Sequence, residues 1–313
     1  MYFNGSKICV LDIETTGITP DLSHFVLGSL LSFEGGDEAR LKQYFAEDIS
    51  EERTLLSEYI EEASKYDVLL TYNGKSFDIP FLLSRANKLE LDIFEMPYNL
   101  DLYLVLDRYS PLRKFMPNLK QKTVEDFMGL WPYREDKISG REIPSLYPHG
   151  KELMLLHNRD DVLQLGKLLR VLEKADLHKA LYAFGFPVIS KNKKLYVRNV
   201  KFENGFLKVT GTQTTYPDDF ISYGYGNSDS HIKFTKQSSA FEISVPVFKM
   251  AGAIIIDLVN LSQDITAELS AFPNYESGYL VLKNNTDINY LEVNSFIKAF
   301  LLKILDDMPG VHT

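Results

Sequence analysis

The feature that most constrains this chain is a short apolar segment carrying two acids, residues 7 to 17 (KICVLDIETTG). Its apolar run predicts a buried strand. Asp12 and Glu14 stand two residues apart, so on a strand both carboxylates face the same side. Neighbouring carboxylates that lose water repel each other, and a divalent cation with oxygen ligands relieves that cost. A strand end whose acids cap a helix or face water explains the pair equally well.

Composition indicates a soluble globular protein. The 313 residues are 45% hydrophobic and 25% charged, enough for two cores or for one large domain with an appendage. A net charge of −9 and a pI near 5.3 argue against a broadly basic coat for nucleic acid, but not against a nuclease with an acidic, metal-neutralised site. The single cysteine, Cys9, excludes a disulfide framework and a cysteine-based zinc site. We expect a cytoplasmic protein with no membrane partner.

The first half of the chain alternates between strand and helix patterns. Further strands are predicted at 24–33, 41–45 and 67–72, and helices from Ser50 through Ala63, from Ser76 to Lys88, from Leu100, from Thr123 and at 151–174. The densest basic stretch lies at 108–122. This alternation predicts an α/β domain.

A second motif, residues 72 to 82 (YNGKSFDIPFL), follows the 67–72 strand. Asn73 and Gly74 predict a turn, with a helix after it. Asp78 then falls in the first helical turn, near the edge where strand ends meet. The alternative is that Asp78 only compensates the helix dipole and Lys75 is a solvated loop residue.

A third motif, HNRDDV at residues 157 to 162, lies on the predicted 151–174 helix. His157 and Asp161 are one turn apart on one face, and Asp160 lies to one side. A pair with this spacing is also typical of a helix surface, so the motif alone leaves a surface pair open.

In this order, the three motifs resemble the DEDD 3′→5′ exonucleases of the ribonuclease-H-like superfamily over roughly residues 1 to 175. TYNGKSFDIPFL, ISGREIPSLY and HNRDDVLQL resemble the bacterial YprB-like branch. The resemblance implies a ribonuclease-H-like mixed sheet flanked by helices, a nucleic-acid substrate and two divalent ions, Mg²⁺ or Mn²⁺. The metal ligands that it implies are Asp12, Glu14, Asp78 and Asp161.

One position departs from that family, whose members place Tyr four residues before the last Asp, or His five before it. Here His157 stands at the tyrosine spacing. The resemblance implies that His157 holds or deprotonates the attacking water, and histidine exchanges protons near neutral pH. The histidine spacing would place the last acid at Val162, so Asp161 is the expected ligand and Asp160 the reserve.

Substrate contacts are predicted at Thr15, Tyr72, Asn73, Lys75 and Phe77. Lys75 or an arginine of the 108–122 stretch would hold a phosphate, and Tyr72 or Phe77 would stack on a base. A solvated Lys75 explains the sequence equally well. The expected partner is single-stranded DNA or RNA.

After Lys174 the pattern changes to short strands and turns. Strands are predicted at 195–202, 206–211, 219–225, 230–236, 239–248 and 278–283, a helix at 291–305, and either a strand or a helix at 251–259. Residues 187–194 predict a linker or domain entrance. We therefore predict a ribonuclease-H-like domain at 1–178 and a smaller β-rich α+β domain of unknown role at 187–313.

The predicted function is a two-metal 3′→5′ exonuclease that hydrolyses phosphodiester bonds. Two alternatives remain open at this point. One is a nucleic-acid-binding or scaffolding protein with little hydrolysis, which the spacing of His157 favours slightly. The other is a structure-specific endonuclease, since metal chemistry alone does not fix where the substrate enters.

Overall fold

The computed structural model describes residues 2–3, 5–33, 39–92, 96–190, 193–214 and 217–308. These residues form two compact units, one from Phe3 to Leu177 and the other from His178 onward together with Tyr2. Across those ranges, no helix is both long and apolar enough to cross a lipid bilayer.

The first unit is an α/β fold around a mixed sheet, as predicted. Its described strands are β1 (Ile8–Thr15), β2 (Phe25–Phe33), β3 (Ala39–Phe45), β4 (Val68–Thr71) and β5 (Tyr98–Asp101). Its helices are α1 (Glu52–Ser64), α2 (Asp78–Lys88), α3 (Leu102–Tyr109), α4 (Gln121–Phe127), α5 (Ile143–Leu146) and α6 (Lys151–Leu168). The strand order is β3-β2-β1-β4-β5, with β2 antiparallel and β4 parallel to β1.

The two edges of β1 are paired over different lengths. Its pairing with β2 continues to Thr15, whereas its pairing with β4 ends at Val10 opposite Leu70. The backbone beyond Val10 therefore needs other partners on the β4 side. The Asp78 carboxylate supplies one, because it accepts a hydrogen bond from the Ile13 amide. The end of the β4 pairing thus makes room for an acid from α2 beside those of β1.

A buried ion cluster ties α2 to α1 and β2. The Arg85 guanidinium donates to both carboxylate oxygens of Glu52, at 2.7 and 2.5 Å. One of those oxygens also accepts from the Phe25 amide at 2.8 Å. Burial alone would raise the pKa of Glu52, but hydrogen bonds from Arg85 and His24 lower it overall. The cluster fixes the helix that carries Asp78 against the sheet.

The second unit is β-rich. Its described strands are β6 (Phe186–Ile189), β7 (Lys194–Glu203), β8 (Phe206–Thr214), β9 (Phe220–Tyr223), β10 (His231–Thr235), β11 (Ala240–Pro246), β12 (Phe248–Met250), β13 (Ala253–Asp257), β14 (Tyr275–Glu276), β15 (Tyr279–Asn284) and β16 (Asp287–Ile288). The helices are α7 (Leu177–Phe184), α8 (Gln263–Leu269) and α9 (Tyr290–Asp307). One sheet has the order β6-β7-β8-β11-β10-β9 and another the order β12-β13-β15-β14, with β16 on β15.

Several predicted elements need correction. The helix expected from Leu100 begins at Leu102, because 98–101 form β5 beside β4. The helix expected at 151–174 is α-helical only to Leu168 and continues as a 3₁₀ helix to Lys174. The segment at 251–259 contains strand β13, and 187–189, predicted as a linker, belong to β6; residues 191–192 of that linker lie outside the described ranges. A short apolar run does not by itself distinguish a buried strand from a helix.

We predict that Gly28→Ala destabilises the first unit. A Cβ on Gly28 would lie 2.5 Å from the buried ring of Tyr59 and 2.9 Å from Phe25. Such overpacking costs roughly 1–3 kcal/mol, which a lower midpoint of urea unfolding would show.

Gly166→Ala on α6 is the matched control, since its Cβ would lie 3.3 Å from Phe33, 3.4 Å from Leu31 and 3.8 Å from Val10, farther than the contacts at Gly28. Alanine also improves helix propensity there by about 1 kcal/mol, so a smaller loss than for Gly28→Ala is expected. Equal unfolding midpoints for Gly28→Ala and the wild type would contradict the packing argument.

Candidate metal centre

Asp12 and Glu14 project from the same face of β1, as the two-residue spacing predicts. Asn158 on α6 donates to Asp12 Oδ2 at 2.6 Å, and its own side-chain oxygen accepts from the hydroxyl of Ser29. The Tyr59 hydroxyl lies 3.2 Å from the Asp12 carbonyl oxygen and 3.1 Å from that of Ser29. The strand and the Asp12 side chain are therefore held by separate hydrogen bonds.

Asp78 is the first residue of α2 and is buried. The turn before it needs a left-handed residue, and Asn73 has a φ of 65° there. Asp101, at the end of β5, accepts from the Asn73 amide at 2.9 Å and from the Lys75 amide at 3.0 Å. These two hydrogen bonds anchor the turn that delivers Asp78 to β1.

His157 and Asp161 lie one turn apart on α6, and both face the acids of β1. The His157 Nε2 atom is 3.4 Å from Asp161 Oδ2 and 3.9 Å from Glu14 Oε1. The His157 side chain is only 3% exposed, so it does not form part of a surface pair. Glu14, His157 and Asp161 each offer one ligand atom, and these three atoms lie within 4.8 Å of one another.

The polar segment at residues 134–138 orients His157 from the other side. Asp136 Oδ2 lies 2.7 Å from His157 Nδ1 and also accepts from Lys122 at 2.9 Å. Its Oδ1 accepts from the Ile138 amide at 2.8 Å. Although burial alone would raise the pKa of Asp136, these hydrogen bonds lower it overall. Asp136 is thus a carboxylate that accepts from the histidine ring.

Arg134 orients Asp161. Its buried guanidinium forms a two-point ion pair with Glu125, at 2.6 and 2.8 Å, and contacts Asp161 Oδ1. Both Arg134 and Glu125 side chains are fully buried. The sequence analysis did not identify Arg134 and Asp136 as site residues, because residues 134–140 (REDKISG) have the composition of a solvated loop.

Asp160, the reserve candidate, does not join the other acids. Its Oδ2 accepts from the backbone amides of Glu135 and Asp136, at 2.7 and 2.8 Å, and its Oδ1 accepts from Arg159. Adjacent residues on a helix point in directions about 100° apart, so Asp160 and Asp161 cannot share a face. Asp160 therefore holds the 134–138 segment against α6.

Without a bound cation, ionisation of the clustered carboxyls is unfavourable in the folded protein. Burial raises the pKa of Asp12 and Glu14 well above its usual range, and the neighbouring charges of Asp161 and Asp78 raise it further. Burial likewise raises the pKa of Asp78, to about 7. Within the described part of the chain, no lysine or arginine forms an ion pair with Asp12, Glu14 or Asp78, the three carboxyls whose pKa is raised.

Three of the residues predicted to contact substrate, Thr15, Tyr72 and Phe77, make contacts within the first unit. The Thr15 hydroxyl is buried and donates to the Gly17 carbonyl at 2.7 Å. The Tyr72 hydroxyl donates to the Leu119 carbonyl at 2.7 Å, and Phe77 packs against the hydrophobic core. Asn73 and Lys75 are exposed on the turn before α2. A contact of any of the five with substrate stays a prediction.

A family model described as RNase_H_2, RNase_H superfamily, matches residues 9–173, more than half of the chain. The chain belongs to the RNase_H superfamily. The matched span contains Asp12, Glu14, Asp78 and Asp161.

The chain is also similar to DNA polymerases. It is 32% identical to that of Methanocaldococcus jannaschii over 94 residues, 28% of this chain and 6% of the polymerase. With that of Pyrococcus glycovorans it shares 30% identity over 97 residues, 28% of this chain and 12% of the polymerase. The structure of the family B DNA polymerase from the hyperthermophilic archaeon Pyrobaculum calidifontis aligns with 53% of this chain and 24% of that one, at 19% identity and a TM-score of 0.45. This RNase_H superfamily member thus spans a small part of each polymerase.

We predict that the metal-free protein loses stability as the pH rises. A carboxyl whose pKa is higher in the folded state than in the unfolded state stabilises the fold at low pH, and this contribution is lost as the pH rises through the folded pKa. For Asp78 that window extends from about 4 to about 7. The melting temperature in EDTA should fall by several degrees between about pH 5 and pH 8.

Asp78→Asn isolates the contribution, because asparagine still accepts from the Ile13 amide but carries no charge. Its melting temperature should fall less over the same range. An equal fall in the variant and the wild type would show that Asp78 is not the group that titrates.

Proposed function

We propose that the first unit is a metal-dependent nuclease that shortens nucleic acid from its 3′ end. One observation carries this proposal: carboxylates from β1, α2 and α6 converge on one place, and among the described residues no lysine or arginine forms an ion pair with Asp12, Glu14 or Asp78. A protein that only bound nucleic acid would gain nothing from such a cluster, since phosphates repel carboxylates.

The residues fit divalent cations. Asp12, Glu14, Asp78 and Asp161 supply the oxygen ligands that Mg²⁺ and Mn²⁺ prefer. Burial and then the neighbouring negative charges raise the pKa of Asp12, Glu14 and Asp78, and cations would offset both effects. When bound, two such ions would neutralise the charge that develops on the attacking and leaving oxygens of a phosphodiester.

The protein's own groups prepare the acids for this task. Asn158 holds one oxygen of Asp12, and Arg134 holds one oxygen of Asp161. Each carboxylate therefore keeps its second oxygen for a ligand, in an orientation fixed by a buried partner. His157 presents Nε2 to the same space, where it can act on water or bind a cation.

Membership of the RNase_H superfamily and similarity to DNA polymerases support a nucleic-acid substrate. The motif resemblance to DEDD exonucleases supports the proposed 3′→5′ direction. We propose single-stranded DNA or RNA as the substrate, with exposed Asn73 and Lys75 beside its path and Lys75 on a phosphate.

The test is digestion of 5′-labelled single-stranded DNA and RNA with Mn²⁺, Mg²⁺ or EDTA. We expect a ladder that shortens from the 3′ end with metal and no cleavage in EDTA. Asp12→Asn should reduce the rate by on the order of 10³-fold or more, about 4 kcal/mol of activation free energy, because it removes a charged ligand without changing shape.

Asp126→Asn is the matched control, since Asp126 is an exposed acid on α4 and should leave the rate unchanged. A 3′-terminal block should stop an exonuclease but not an endonuclease. Binding without hydrolysis of either nucleic acid would disprove the proposal and favour the scaffold alternative. Full activity in Asp12→Asn would disprove the metal dependence on this acid.

A further inference from the structure

We infer that His157 is itself a metal ligand through Nε2, so that one cation position of the site favours Mn²⁺ over Mg²⁺. The inference rests on the proposed metal dependence and specifies the ion more narrowly. It gives His157 a role different from the one expected from the motif, in which the ring acts on the attacking water.

The distances around Nε2 suit a shared cation. Ligand atoms on one octahedral ion with bonds of roughly 2.1 Å lie about 3.0 Å apart when adjacent and about 4.2 Å apart when opposite. Nε2 lies 3.4 Å from Asp161 Oδ2 and 3.9 Å from Glu14 Oε1, both inside that range. Arg134 occupies the other oxygen of Asp161, so Oδ2 is the one left to face the histidine.

The opposite side of the ring fixes the tautomer. Nδ1 lies 2.7 Å from Asp136 Oδ2, and Lys122, Arg134 and the Ile138 amide all donate to the same carboxylate. This carboxylate can only accept from the ring, so Nδ1 carries a proton, and in the neutral ring the lone pair of Nε2 then faces Glu14 and Asp161. A histidine whose second nitrogen donates to a carboxylate is the usual arrangement of a metal-bound imidazole.

No competing partner occupies Nε2. The side chain is 97% buried, and the described residues give Nε2 no hydrogen bond, only the two carboxylate oxygens named above. Gly140 leaves space beside it, since even a Cβ at that position would remain 3.6 Å from Nε2. A buried acceptor aimed at two carboxylates is repelled by them until a cation or a proton lies between.

A nitrogen ligand changes the choice of ion. Mg²⁺ prefers oxygen ligands, whereas imidazole binds first-row transition ions more strongly. Glu14, Asp161 and His157 together therefore make a mixed oxygen and nitrogen site, for which Mn²⁺ is the better match of the two expected ions. Asp12 and Asp78 add only oxygen.

The experiment is electron spin echo spectroscopy of the Mn²⁺-loaded protein, with Mn²⁺ and Mg²⁺ titrations by calorimetry. We expect a nitrogen coupling in the wild type that changes when the protein is labelled with ¹⁵N-histidine.

His157→Gln should abolish the coupling and weaken the binding of Mn²⁺ at least 10-fold, with little change in the binding of Mg²⁺. Asp136→Asn should weaken Mn²⁺ about 10–100-fold through the ring. His149→Gln, at an exposed histidine, should change nothing.

The outcomes separate this inference from the proposed function. Metal-dependent hydrolysis without a histidine coupling in the wild type would overturn the ligand assignment and leave the nuclease standing. If His157→Gln hydrolyses nucleic acid more slowly but binds Mn²⁺ with unchanged affinity, the ligand assignment is likewise wrong. The ring would then act on the attacking water, as the motif predicts. The wild type could also show a histidine coupling that His157→Gln removes, yet cleave no nucleic acid. That result would support the ligand assignment and overturn the proposed function. The wild-type spectrum requires no variant to fold.

Discussion

The first unit depends on keeping several carboxylates together where little water reaches them. Asp12 and Glu14 face Asp78 and Asp161, and their pKa values are raised mainly by burial and then by one another's charge. Like charges in a poorly hydrated site oppose folding. The rest of the fold must therefore hold β1, α2 and α6 against a repulsion that only cations or protons remove.

Backbone geometry supplies part of that restraint. The β4 pairing ends at Val10, and Asp78 replaces a missing strand neighbour by accepting from the Ile13 amide. The same contact that brings the charge close also satisfies a buried donor, so moving α2 away would leave the amide unpaired. Arg85 and Glu52 fix the far end of α2 by a second buried contact.

The position of a site residue can be predicted from the sequence when it depends on the period of one strand or helix. It cannot be predicted in this way when it depends on a partner far away in the chain. The period of two along β1 places Asp12 and Glu14 on one face, and the period of α6 places His157 beside Asp161 but not Asp160. Neither period indicates that Arg134 and Asp136 lie between α4 and α6, because their partners are 9 to 27 positions away in the chain. The strand β5 was missed for a related reason: its pairing with β4 is not visible in its own composition.

The 134–138 segment shows how a charged loop can place two of its charges, Arg134 and Asp136, in the interior. Arg134 balances Glu125, Lys122 balances Asp136, and Asp160 accepts from two of the segment's amides, so each buried charge has a partner. Among the described residues, the acids of β1 and α2 have no such ion pair, whereas Asp161 of α6 contacts Arg134. In the same part of the chain, Arg134, Lys122 and Arg85 pair with buried carboxylates, whereas no lysine or arginine pairs with the clustered Asp12, Glu14 and Asp78. That selective omission, more than the number of acids, distinguishes the proposed cation site from an acidic surface.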